Sequence, residues 1–319
     1  MSEAARTLAA KVLAVASLAA SFGVAFVVGC GVTTRVDDVE AGSRNAHSDS
    51  GVFETDDAGG SFGGTAKTCT DATRLVYVIS KDGSLHSFSP GDTKFTTIGP
   101  LGCAVNAGSL PFSMSVDRGG KAWILYDSGQ LATASLDNAS CVVTPFATAQ
   151  AGFKTFGMGF STDSETATAE SANETLFVVD YLGKGLGRID RKALSLAVVA
   201  PFTGDLTGKT AELAGTGDGK LYGLFRVSPA RLVSIDKATG KTISSETLAG
   251  VEAGTDFAFS YWGGDFYFFT ADLTGGATKT SRVTRYRPSD KSISVMADQV
   301  GFVVVGAGVS TCAPTTPIR

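Results

Sequence analysis

Apolar residues gather in five short runs, 75–78, 122–126, 176–179, 221–225 and 266–269, whose starts lie 47, 54, 45 and 45 residues apart. A glycine-rich turn precedes three of them: Gly119-Gly120-Lys121, Gly217-Asp218-Gly219-Lys220 and Gly263-Gly264-Asp265. Ahead of these turns, and ahead of the run at 176–179, lies a strand of alternating or small residues: 112–116, 156–160, 211–215 and 257–261. After each run come two more strands. The first alternates with polar residues, at 85–88, 131–136, 186–190, 232–236 and 283–287. The second lies at 95–98, 142–146, 194–199, 242–247 and 292–296. Turns rich in Asp, Pro, Gly and Lys join them. No segment carries a helical period.

Four strands per unit, repeated near every 45 residues, predict an all-β fold, a five-bladed β-propeller. The first unit lacks its first strand. The last apolar segment, 302–309, has no strands after it, so it can supply the missing one, close the ring and remove an open edge. A sixth blade would need a unit that the chain does not contain. An open antiparallel sandwich is the alternative, and the regular spacing disfavours it.

The N-terminal part has a different pattern. Residues 12–29 are uncharged and mostly apolar, and follow a segment carrying Arg6 and Lys11. That order is the order of a secretory signal. The stretch ends in Val27-Val28-Gly29-Cys30, which resembles the lipobox of bacterial lipoproteins. The resemblance implies acylation of the Cys30 thiol and cleavage before it. Gly31 rather than Asp after the cysteine implies sorting to the outer membrane. An uncleaved membrane anchor is the other reading of the apolar stretch. Residues 31–66 hold seven acids against Arg35 and Arg44, and the run Gly59-Gly60-Ser61-Phe62-Gly63-Gly64, with no sustained apolar period. Such a segment cannot bury enough surface to offset its ordering entropy. The expected organisation is a signal peptide at 1–29, a lipidated disordered tether at 30–66 and a propeller at 67–319.

Composition narrows the function. Hydrophobic residues are 43% and charged residues 18%, with 39 glycines in 319 residues, a profile of short strands and many turns. The acids of the tether account for the net charge of −4, and residues 67–319 sum to about zero. A neutral domain lacks the basic field of a nucleic-acid binder. With Cys30 lipidated, four cysteines remain for an oxidising compartment. Ring closure puts Cys69 and Cys312 at the same end of adjacent strands and favours that bridge. Cys103–Cys141 follows by elimination. Simple strand order puts this second pair at opposite ends of their strands, so the connection 99–110 would have to fold back.

Candidate chemistry is thin. Residues 67–319 contain one histidine, His86, which leaves little room for a Ser-His-Asp triad or a histidine metal site. No cysteine spacing suits a metal, no cofactor motif is present, and Gly215-Thr216-Gly217-Asp218-Gly219 reads as a hairpin turn. Carboxylates remain. Glu212 stands where other units carry Ser113, Gly157 and Ala258. Asp256 begins the next inner strand, and Asp180 ends a second strand. In a propeller channel such groups either tie blades together or serve as acid and base in glycoside hydrolysis. As a whole, 30–319 resembles bacterial lipoproteins that carry a small β-propeller behind a low-complexity tether. That likeness brings no activity and no catalytic residues. The expectation is a non-catalytic binding or scaffold lipoprotein of the bacterial cell envelope, held to the membrane by its lipid, with a protein, peptide or glycan ligand. The alternative is a carbohydrate-active or cyclotransferase-like enzyme using channel carboxylates.

Overall fold

The structure is a computed structural model and describes residues 69–166, 173–271 and 280–317. The chain divides into two compact units, Met1–Gly60 and Ser61–Arg319, and every described residue belongs to the second. The signal at 1–29, Cys30 and the tether at 30–66 lie outside the described residues.

Five four-stranded antiparallel sheets form the five blades. Blade 1 holds β1 (Val76–Ser80), β2 (Ser84–Ser89) and β3 (Lys94–Pro100). Blade 2 holds β4 (Pro111–Val116), β5 (Lys121–Tyr126), β6 (Leu131–Ser135) and β7 (Cys141–Val143). Blade 3 holds β8 (Phe156–Thr162), β9 (Glu174–Asp180), β10 (Leu186–Asp190) and β11 (Ser195–Ala200). Blade 4 holds β12 (Ala211–Gly215), β13 (Leu221–Phe225), β14 (Arg231–Ile235) and β15 (Thr242–Thr247). Blade 5 holds β16 (Asp256–Trp262), β17 (Asp265–Ala271), β18 (Arg282–Arg287) and β19 (Ser292–Ala297). The last strand, β20 (Val304–Val309), completes blade 1 from inside.

Each blade is covered on both faces by its neighbours, which is why the second strands read as continuous apolar runs. Strand alternation divides them between two interfaces. In β9, Leu176 and Val178 pack toward blade 2, with Trp123, Leu125 and Leu131. Phe177 and Val179 pack toward blade 4, with Leu213, Leu221 and Phe225. Among the described residues five such apolar clusters form, one between each pair of neighbouring blades. The fourth strands stand at the rim, and β15 is exposed along nearly all its length. The strand expected at 142–146 is shorter, Cys141–Val143: the Thr144 amide still donates to the Leu131 carbonyl, and the Phe146 amide then turns to the Thr144 hydroxyl.

Closure follows the expected pairing. β1 runs antiparallel to β20, from Val76 opposite Val309 to Ile79 opposite Gly306. A five-bladed ring brings its inner strands close, and glycine makes that possible. A Cβ on Gly306 would stand 2.7 Å from the Met114 nitrogen, and one on Gly308 would stand 2.8 Å from Ser115 Cα, both on β4.

Both disulfides form. Cys69–Cys312 spans 5.5 Å between Cα atoms, and Cys103–Cys141 spans 4.9 Å. The connection after β3 does fold back. The Leu101 amide donates to the Gly83 carbonyl, and the Asn106 amide donates to Gln130 Oε1. Between these anchors Leu101, Cys103 and Val105 dip into the core shared by blades 1 and 2, beside Cys141. Burial of that apolar segment overrides the simple strand order.

Candidate functional site at the channel mouth

The inner strands β4, β12, β16 and β20 all begin at the same end of the ring. There the channel opens into a funnel of about 220 Å³ to which every blade contributes. Glu212 is the second residue of β12, only 5% exposed, and lies at the funnel's base. Its Oε2 accepts a hydrogen bond of 2.7 Å from the Ser113 hydroxyl of blade 2. The Met158 amide of blade 3 donates to the same carboxyl. Burial raises its pKa well above the ordinary 4.5, and these two hydrogen bonds only partly oppose the rise. Three blades are thus tied together inside the channel.

Asp256 begins β16 on the wall of the funnel. Lys81, the residue after β1, reaches it at 3.2 and 3.1 Å, one distance to each carboxylate oxygen. Glu212 and Asp256 therefore share the funnel. Asp180 does not line it. That residue is 1% exposed at the end of β9, and its Oδ2 accepts the Lys184 amide.

The next residue, Tyr181, does reach the funnel. Its ring meets Phe112 edge to face at 5.2 Å, and its hydroxyl accepts a 3.0 Å hydrogen bond from Arg226. Asp127 holds the rim: its Oδ1 accepts the Leu110 amide at 3.1 Å, and its own amide donates to the Leu110 carbonyl. Lys81, Asp127, Tyr181 and Arg226 are the residues that directly follow the second strand of blades 1 to 4. Reading the apolar runs as strands passes over them. Aligning the units on those runs brings the four into one column of polar and aromatic side chains.

The other end of the ring is crossed by residues 310–317. Ser310 donates to the Thr73 carbonyl, the Gly263 amide to Pro314, and the Tyr261 hydroxyl to Thr315. Thr311 donates to Glu174 Oε2 at 2.8 Å, and Arg118 donates to the Thr311 hydroxyl at 2.9 Å. Glu174 Oε1 accepts the Arg118 amide and faces Arg191 at 3.4 Å. Burial raises the Glu174 pKa to about 7 despite the attraction of Arg191.

His86 gathers the residue types of a hydrolase but not their order. Ser80 donates to Asp82 and meets His86 Nε2 at 3.2 Å, while His86 Nδ1 pairs with the Thr97 hydroxyl. The hydroxyl stands between acid and imidazole, and Ser80 is 1% exposed. No acid orients the ring, so this is not a catalytic triad. Phe302 stacks on the imidazole at 4.2 Å, and burial lowers its pKa. Among the described residues, no three His, Cys, Asp or Glu side chains converge as a metal site.

No family model and no curated protein matches the sequence. Among solved structures, the chain is similar to one in a crystal structure of a nidogen/laminin complex, at 14% identity and a TM-score of 0.44, covering 76% of this chain and 81% of that one. It is similar to a Bacteroides thetaiotaomicron protein of unknown function at 15% identity and 0.42, covering 72% and 57%. It is also similar to the extracellular domain of a one-component system from B. thetaiotaomicron at 12% and 0.37, covering 73% of this chain and 28% of that one.

Proposed function

We propose that this chain is a non-catalytic binding module, exported and lipidated at Cys30, that takes a small ligand into the channel mouth. The supporting observation is the funnel itself, built from all five blades at one end while the C-terminal residues cross the other. Two disulfides support a compartment outside the cytoplasm. Cys69 is bonded to Cys312 at the crossed end, away from the funnel. An enzymatic reading has one observation in its favour: Glu212, with its raised pKa, shares the funnel with Asp256. Against it, the Glu212 carboxyl already holds Ser113 and Met158, and Lys81 neutralises Asp256.

Amide NMR mapping of the full chain tests the proposal, with a panel of neutral monosaccharides, amino acids, nucleosides and dicarboxylates. Binding should shift Tyr181, Thr255 and Asp256 and leave Ile243 on β15 unmoved. Shifts confined to the outer strands, or none with any member, would refute the mouth as the site.

A further inference from the structure

Resting on that reading, we infer that the funnel's ligand is a neutral pyranose ring, free or at the end of a glycan. Two chemistries are weighted toward different sectors of the wall, with Asp127 on the rim of the first and Phe257 and Val305 buried in the second. Blades 2 and 3 present Leu110, Phe112 and Tyr181, an apolar and aromatic surface. Blades 4, 5 and 1 present Thr210, Thr255 and the Lys81–Asp256 pair, a polar surface rich in donors and acceptors. A pyranose has this same division, with a C–H face that packs on an aromatic ring and a rim of hydroxyls.

Charge favours a neutral ligand. In the mouth Lys81 pairs with Asp256 and Asp127 accepts the Leu110 amide, while Arg226 lies behind the wall on the Tyr181 hydroxyl. Lys81 and Asp256 already satisfy each other, so a charged ligand would have to break that pair and desolvate a new one. Hydroxyls can use the free lone pairs of Asp256 and the remaining protons of Lys81 without separating them. Size agrees. About 220 Å³ is below the ~300–1,000 Å³ of sites for drug-sized molecules, and suits one ring rather than a chain. A ligand this small in an open funnel binds in roughly the millimolar range.

The test is titration of the full chain with glucose, galactose, mannose, fucose, rhamnose, xylose, N-acetylglucosamine and N-acetylgalactosamine, beside alanine and leucine as zwitterions. At least one pyranose should bind at the mouth. Tyr181→Ala and Asp256→Asn should each weaken it at least tenfold, Tyr181→Phe should retain it, and Ile243→Ala should leave it unchanged. Pyranose affinity that survives both weakening variants would overturn the inference. Amino acids binding at the mouth while no pyranose does would overturn it too, yet leave the mouth as a binding site. Nothing binding there would overturn both.

Discussion

At the scale of single residues, buried carboxyl groups carry most of the distinctive chemistry. Glu212 accepts from Ser113 and Met158 where no water competes, and Gln offers one acceptor oxygen in place of two. Glu212→Gln should therefore cost on the order of 1–3 kcal/mol in urea unfolding. A turnover that vanished in Glu212→Gln with an unchanged melting curve would establish the enzymatic reading instead. Glu174 predicts a pH dependence. Its native pKa of about 7 lies above the ordinary 4.5, so the native state holds a proton that the unfolded chain has lost. Its contribution is fully present below pH 4.5 and declines until about pH 7, by roughly 3 kcal/mol. His86 acts in the opposite sense, since its lowered pKa costs stability as pH falls below 6.5. The comparison is therefore with Glu174→Gln, which should show a flatter profile than the parent between pH 4.5 and 7. Parallel profiles would contradict the burial argument. Glu212 was legible in the sequence because a charge in a row of small residues stands out. Lys81 and Tyr181 were not, because their significance depends on partners in other blades.

At the scale of elements, the sequence showed the four-strand unit and the strand that closes the ring. Apolar runs and turns mark these directly, since a blade covered on both faces needs them. The dip of residues 101–106 was legible only as a conflict between cysteine pairing and strand order, because local pattern says nothing about which core a loop enters. The same close packing that closes the ring makes β20 sensitive to side-chain size. Gly308→Val would drive methyl groups into the Ser115–Val116 backbone of β4. The expected cost is about 3 kcal/mol or more, read as a lower melting temperature with exposed-edge aggregation. An unchanged melting temperature would mean that β20 does not pack as described.

At the scale of the whole molecule, the ring joins an opened end to an end crossed by residues 310–317 and closed by Cys69–Cys312. Cys30→Ala should abolish lipid labelling and release the protein from the envelope, with cell fractionation as the readout; persistent labelling would refute the anchor. That the fold is a propeller could be read from four strands per unit repeated near every 45 residues. That its mouth combines an aromatic sector with a polar one could not, because those side chains follow the strands and meet only when the ring is formed. The most direct measurement is blockage of the mouth. Thr255 is exposed at the rim, so Thr255→Trp should lay an indole across the opening without disturbing the core. Calorimetric titration of the parent and Thr255→Trp with the pyranose and amino-acid panel should give at least one binding heat in the parent that disappears in the variant at unchanged melting temperature. The same heat in both proteins would contradict the account.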